Sequence, residues 1–143
     1  TYCLVTVARG PSRSRPAVEV LAEARQRLAE GYREIVLTGV NIGAYGRDLP
    51  EGRDLAALAG ELLALPGEWR LRLSSVEPWD LTPALLALWP HPRLCRHLHL
   101  PLQSGSDAVL RRMGGAIRPR PIAKWCAPCA RASLHWGYPP TSL

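Results

Sequence analysis

Helical and strand-like segments alternate along the first 114 residues of this chain, and the alternation limits the folds that it can adopt. Residues 16–30 place apolar side chains at helical spacing, and the β-branched run Ile35–Thr38 that follows is typical of a buried strand. A helix over 55–65 and a strand over 69–75 repeat the cycle. Strand and helix in units of about 30 residues indicate βαβ crossovers and a parallel sheet.

Two further units follow the same order. Thr82 predicts the start of a helix that extends to residue 89, and a strand over 97–102 leads into a helix over 107–113. With a strand implied over 2–7, we expect four βα units, which make half of a (β/α)8 barrel or a small open sheet. In both architectures ligands bind where the strands end. The segments at those ends are residues 39–46, 74–79 and 103–107.

The periodic pattern stops after residue 114. Residues 115–143 hold five prolines and four basic residues but no acidic residue. We therefore divide the chain into an α/β core over 1–114 and an irregular tail over 115–143. We also hypothesise that a shifted reading frame encodes the tail, which resequencing the DNA around the codon for Gly114 would test.

The charge of the chain is positive, at +6, but four of the 18 basic residues belong to the tail. The first 114 residues therefore carry only +2. RNA binding and a solvated tail account equally well for this excess. Because no run approaches the length of a membrane span and no signal-peptide pattern opens the chain, we expect no membrane association and a cytoplasmic location.

The four cysteines, the first of which is Cys3, are too few and too unevenly spaced for a disulfide framework, so metal or redox use of one or more of them is the more interesting interpretation. A lone cysteine is more often a small buried side chain, but the arginines over 9–15 favour its thiolate form. Cys95 is expected to be an ordinary half-buried thiol. The pair Cys126 and Cys129 has the spacing of a zinc or redox site. The alternative is that this spacing is a coincidence in an irregular tail.

Two histidines alternate with leucines in the predicted strand over 97–102. His97 and His99 therefore lie on the same side of that strand. We interpret both as buried, hydrogen-bonded side chains rather than catalytic groups.

Four segments, in this order and spacing, resemble the radical-SAM methylthiotransferase family. Thr1-Tyr2-Cys3 and the arginine-rich residues 8–16 are similar to the end of that family's C-x3-C-x2-C loop and the segment after it. Residues 35–49 are similar to its second strand and loop. Residues 72–80 resemble the end of its third strand and residues 97–107 that of its fourth.

The resemblance implies an α/β fold of the partial (β/α) radical-SAM TIM-type barrel class, with about four βα units. It also implies transfer of a methylthio group to adenosine C2 in tRNA. The loop Thr38–Leu49 is most similar to enzymes that act on N6-threonylcarbamoyladenosine. A reductant and a sulfur source are implied as well. Of the three thiolates that hold the cluster in this family, only the one at Cys3 has a match in this chain. Because one thiolate cannot hold a cubane cluster, we expect the isolated chain to be inactive.

The cofactors implied by the resemblance are a 4Fe-4S cluster and S-adenosylmethionine. Three thiolates hold such a cluster, and Cys3 matches the third of them. The cofactor-binding positions carried over are Gly39, Asn41, Ser75, Glu77, Gln103, Ser104 and Gly105. Without the family these would pass for ordinary turn residues. The proposed substrate-binding residues are Arg9, Arg13 and Arg15, and no catalytic side chain is assigned.

The alternative function comes from a different class of protein. A non-catalytic polypeptide could bind RNA through its arginines or zinc through Cys126 and Cys129. Zinc retention that is lost when Cys126 is replaced would favour this alternative.

Overall fold

The structure, a computed structural model, describes residues 7–8, 10–101, 103–104 and 106–113. Within them it forms an α/β arrangement of helices, a short parallel sheet and two single 3-10 turns. The elements are α1 (Ala17–Ala29), β1 (Glu34–Leu37), a turn at Ile42–Ala44, α2 (Leu55–Leu63), β2 (Arg70–Leu73), a turn at Pro78–Asp80, α3 (Pro83–Ala87) and α4 (Asp107–Arg112).

The predicted helices are confirmed, with ends one or two residues shorter than the periodicity suggests. Capping residues explain where they begin. The Asp54 side chain accepts a hydrogen bond from the backbone N–H of Ala57 at 2.8 Å and starts α2. The Thr82 hydroxyl accepts one from the N–H of Leu85 at 3.1 Å and starts α3. Gly31, with φ of 95°, ends the turn after α1.

The sheet is parallel, as predicted. β1 pairs with β2 so that Glu34 lies opposite Arg70 and Leu37 opposite Leu73. The third segment, residues 94–99, lies along the other edge of β2, with one bridge from Leu94 to Leu71 of β2 and one from His99 to Ser75, just beyond the end of β2.

The described residues 97–101 do not form the regular strand predicted over 97–102, so that prediction is wrong. The N–H of His97 bonds to the carbonyl of Cys95 at 2.7 Å instead of bonding to β2. This local turn interrupts the ladder between the bridge at Leu94 and the bridge at His99. The segment therefore occupies the position of a third strand without its regular pairing.

The core lies between α2 and one face of the sheet. Leu58, Ala59 and Leu62 of α2 are at most 2% exposed, and so are Leu71 and Leu73 of β2. The alternation of leucine with arginine along β2 places the leucines on this face. Burial of such apolar side chains is the main source of stability for the packing of α2 on the sheet.

Part of the predicted organisation lies outside the described residues. This applies to residues 2–6 of the strand predicted over 2–7 and to the tail over 115–143. Val7, the last residue of that predicted strand, is helical together with Ala8, so the strand does not extend to Val7. None of the helices in the described part of the chain has both the length and the hydropathy needed to span a bilayer.

Candidate functional site

Both strands of the sheet end at the same edge, and the segments predicted to bind a cofactor follow them there. The glycine loop, residues 39–48, follows β1, and the β2 turn, residues 74–80, follows β2. The third segment reaches the same edge, where His99 forms a parallel bridge with Ser75. This is the end at which parallel α/β proteins bind their ligands.

The glycine loop borders a cavity of about 880 Å³. Gly39 and Asn41 line it from the loop, and Arg13 and Arg15 line it from the arginine segment, residues 10–15. The structure therefore brings together residues that the sequence assigned to two different roles. A cavity of this size lies within the range of small-molecule sites.

Hydrogen bonds join the arginine segment to the glycine loop. The N–H of Ser14 donates to Oδ2 of Asp48 at 2.8 Å, and the Ser14 hydroxyl accepts from the N–H of Gly46 at 2.9 Å. The hydroxyl of Tyr45 donates to the carbonyl of Arg15 at 2.9 Å. Sequence reasoning missed Ser14, Tyr45 and Asp48, because their partners are 30 to 34 residues away and no periodic pattern marks them.

The glycine loop also needs glycine at one turn. Gly46 has φ of 83°, and a Cβ added there would lie 1.5 Å from the carbonyl oxygen of Arg53. Only a residue without a side chain fits so close to that backbone. The contact fixes the path of the chain from the cavity wall back to α2.

Part of the positive charge of the arginine segment is already paired with acidic side chains. Arg15 donates to Glu23 of α1 at 2.5 Å, and this contact raises the pKa of Arg15. Hydrogen bonds from Ser14 hold the pKa of Asp48 below its usual range, with a smaller contribution from the charge of Arg13. Arg13 itself is exposed at the cavity. Of these two arginines, Arg13 is therefore the freer to meet an anion.

Ser75 forms the second part of the edge. Its exposed hydroxyl lies 2.7 Å from Nδ1 of His99, and the N–H of Val76 donates to the carbonyl of His99 at 3.1 Å. Both His97 and His99 are exposed, so the prediction that they are buried is wrong. Leu98 and Leu100, which alternate with them, pack against the core, so the two histidines lie on the exposed side of the segment.

Three side-chain oxygens in the β2 turn are buried without a hydrogen-bond partner among the described residues: Oγ of Ser74, Oε2 of Glu77 and Oδ2 of Asp80. Burial raises the pKa of Glu77, and the nearby charge of Asp80 raises it further. Buried polar atoms of this kind normally have a partner. Their free hydrogen-bonding capacity suits a ligand with amino or hydroxyl groups, as S-adenosylmethionine has.

Gln103 and Ser104 are the described residues among the three cofactor positions predicted over 103–105. Gln103 is exposed and has φ of 60°, and the Ser104 hydroxyl accepts a hydrogen bond from the N–H of Ser106 at 3.1 Å. Neither residue lines the cavity beside the glycine loop, and neither do Ser75 and Glu77. The structure thus unites Gly39 and Asn41 with Arg13 and Arg15, and places Ser75, Glu77, Gln103 and Ser104 outside that cavity.

The predicted metal ligand, Cys3, lies outside the described residues, as do Arg9, Gly105, Cys126 and Cys129. No group of three potential ligands occurs among the residues that are described. Cys95 is half-buried, as expected, and burial raises the pKa of its thiol. Its sulfur lies 4.0 Å from Oε2 of Glu34, where β1 begins, so it sits at the opposite end of the strands from the glycine loop.

Comparison with known proteins agrees with the resemblance. A sequence model of the Radical SAM superfamily matches residues 1–135. The chain is 46% identical over 116 residues to threonylcarbamoyladenosine tRNA methylthiotransferase MtaB of Thermotoga maritima. It is 42% identical over 114 residues to tRNA-2-methylthio-N(6)-dimethylallyladenosine synthase of Carboxydothermus hydrogenoformans.

These matches cover 80% and 79% of the chain but only 26% of each relative. The chain therefore spans about a quarter of the length of the curated relatives it matches. Members of the family use a 4Fe-4S cluster with S-adenosylmethionine. The superfamily match and the names of its relatives together show that this chain belongs to the radical-SAM tRNA methylthiotransferases.

Proposed function

We propose that this chain is part of an enzyme that transfers a methylthio group to N6-threonylcarbamoyladenosine in tRNA. The observation that carries the proposal is the shared cavity, in which the glycine loop, with Gly39 and Asn41, and the arginine segment form adjoining walls. A cofactor wall beside a basic wall is what an enzyme needs to bring S-adenosylmethionine close to a nucleic acid. A cytoplasmic location goes with this proposal.

The fold that we propose for the whole enzyme is a (β/α) barrel, of which residues 1–114 supply about four units. The free edge of β1 supports this, because β1 pairs only with β2 among the described residues and Val36 on it is 48% exposed. The division into a core over 1–114 and an irregular tail over 115–143 stays a proposal. The superfamily match extends to residue 135, so it does not mark a boundary at residue 114.

The cofactor assignments follow from the family and from the free polar atoms of the β2 turn. We propose that Cys3 is one of three thiolate ligands of the cluster. When bound, the cluster and S-adenosylmethionine supply the radical that opens the substrate C–H bond. Gly39 allows the cofactor to approach the backbone, and Asn41 bonds its polar groups. Ser75 and Glu77 bond its hydroxyl or amino groups, as do the residues of the last segment, Gln103, Ser104 and Gly105.

The nucleic-acid contacts are assigned to the arginine segment. We propose that Arg9 and Arg13 bind tRNA phosphate, because arginine donates to phosphate in a bidentate geometry. Arg15 belongs to the same wall, but its pairing with Glu23 leaves it a smaller share of the binding. The contacts should weaken with added salt, as phosphate contacts do.

The choice of modified adenosine rests on the loop over 38–49 and on the identity figures. The relative named for threonylcarbamoyladenosine is 46% identical to this chain, against 42% for the relative named for dimethylallyladenosine. The zinc-binding alternative has less support, since the curated relatives act on tRNA by name.

The test uses the full-length form, meaning this chain with the in-frame sequence that its gene encodes on either side. Reconstituted with iron and sulfide, it is incubated with S-adenosylmethionine, a reductant and tRNA carrying either N6-threonylcarbamoyladenosine or dimethylallyladenosine. Mass spectrometry of the digested nucleosides should show a methylthio group only on the first. A product only on the second would overturn the substrate assignment, and no product on either would overturn the function. The isolated 143-residue chain should give no product.

A further inference from the structure

Asp80 is the only charged residue that is buried within the described part of the chain. Its side chain is 1% exposed, and it is the last residue of the turn Pro78–Asp80, which lies beyond the end of β2 at Leu73. A buried carboxylate is unfavourable unless a charged group or hydrogen-bond donors compensate it. Its partner comes from the neighbouring wall of the site.

Arg47 of the glycine loop supplies the opposite charge. Its Nη2 donates to Oδ1 of Asp80 at 2.5 Å, across 33 residues of sequence. The Arg47 side chain is 65% exposed, so the pair joins a surface group to a buried one. This ion pair links the loop that follows β1 to the turn that follows β2.

The backbone of Gly43 lies against the side chain of Asp80. A Cβ added to Gly43 would lie 2.3 Å from Cβ and 2.5 Å from Oδ2 of Asp80, well inside contact distance. Glycine therefore allows the loop to approach as closely as it does. Oδ2 has no hydrogen-bond partner among the described residues, so the salt bridge to Oδ1 is its main compensation.

We propose that Asp80 is a positioning residue for the cofactor pocket. Through its ion pair with Arg47 and its packing on Gly43, it holds the glycine loop so that Gly39 and Asn41 keep their places in the cavity wall. The inference rests on the proposed function, in which Gly39 and Asn41 contact S-adenosylmethionine. Asp80 itself does not line the cavity, and it does not belong to the arginine segment.

The experiment compares Asp80→Asn and Arg47→Ala in the reconstituted full-length form. Both should weaken S-adenosylmethionine binding by about 10- to 100-fold, as the loss of a supporting contact does. Affinity for tRNA should fall much less, because the loop reaches the arginine segment only through the contacts of Ser14 and Arg15. The backbone amides of Ala44 and Tyr45, which bond within the loop, should exchange faster with deuterium.

Two further variants separate positioning from a general loss of structure. Arg47→Lys keeps the charge and should restore most of the affinity for S-adenosylmethionine. Arg53→Ala removes an arginine that pairs with Glu61 at 2.7 Å in an exposed contact, and it should leave that affinity unchanged.

Each result decides one of the two proposals. If the parent protein does not bind S-adenosylmethionine, the proposed function fails, while the amide exchange still tests whether Asp80 holds the loop. If the parent protein binds it and Arg47→Ala binds it equally well, the positioning role is wrong. Equal losses of cofactor and tRNA affinity would also overturn the positioning role. Should Asp80→Asn not fold, Arg47→Ala decides, because it alters an exposed side chain.

Discussion

The glycine loop and the β2 turn reach the same edge of the sheet but are held there by different interactions. The β2 turn is anchored in the core, where Val76 is 0% and Leu81 is 5% exposed. The glycine loop buries Ile42 in the core, and the rest of it is held by hydrogen bonds to the arginine segment and by close backbone contacts. The site therefore has one wall fixed by hydrophobic packing and another fixed mainly by polar contacts near its surface.

This difference suits a site that must admit a ligand. Hydrophobic packing is not directional and resists local opening, whereas a few partly exposed hydrogen bonds open at small cost. We expect the glycine loop to adjust on binding and the β2 turn to stay in place.

The largest effect is expected at Gly46. Replacing it with alanine puts a Cβ against the carbonyl oxygen of Arg53 and should lower the free energy of unfolding by about 3 kcal/mol. Gly52 is the matched control, since it also has positive φ, 62°, but has open space around its Cβ position. Gly52→Ala should cost only about 1 kcal/mol. Equal losses in urea unfolding of the full-length form would show that the close contact is not what holds the loop.

The next effect tests the hydrophobic wall. Val76→Ala should cost about 2 kcal/mol, because it removes two buried methyl groups and leaves a cavity. Val40→Ala makes the same change in the glycine loop, where the side chain is 65% exposed, and should cost less than about 0.5 kcal/mol. Urea unfolding checks both. Similar losses at the two valines would contradict the difference between the walls.

A smaller effect tests the polar wall. Ser14→Ala removes the acceptor for the N–H of Gly46 and should cost about 1 kcal/mol. It should also speed deuterium exchange of the Gly46 amide. Ser12→Ala, an exposed serine of the same segment, is the control. If both variants exchange at the parent rate, the hydrogen bond to Ser14 does not hold the loop.

The smallest effect concerns Glu77 and depends on pH. Because its pKa is raised in the folded protein, Glu77 favours folding while protonated, and that contribution is lost as pH rises above the ordinary glutamate pKa of about 4.3. Glu77→Gln should therefore match the parent below that pH and be more stable at pH 7, by less than about 1 kcal/mol. Melting temperatures at both pH values check this. Glu68→Gln, at an exposed position, should show no such difference.

Much of the fold could be predicted because helix ends are marked locally. Asp54 and Thr82 cap helices through atoms three residues away, so short sequence windows contain the signal. The third segment could not be predicted correctly, because the turn between Cys95 and His97 competes with pairing to β2. Pairing of that kind depends on the tertiary structure.

The candidate site was only partly predictable for the same reason. Gly39 and Asn41 were recognisable through a family motif. Arg47 and Asp80 were not, because a buried ion pair across 33 residues leaves no pattern in either segment. An aspartate after Pro78-Trp79 looks like any other turn residue until the packing around it is known.

The central claim is that Cys3 belongs to the cluster that binds S-adenosylmethionine at this edge of the sheet. The most direct measurement is the electron paramagnetic resonance spectrum of the reduced full-length form, with and without S-adenosylmethionine, in Cys3→Ala and Cys95→Ala variants. Cys95 sits near Glu34 at the far end of the strands, so its variant should keep the spectral change that S-adenosylmethionine causes, and the Cys3 variant should lose it. A Cys3→Ala protein that still shows the change would contradict the account.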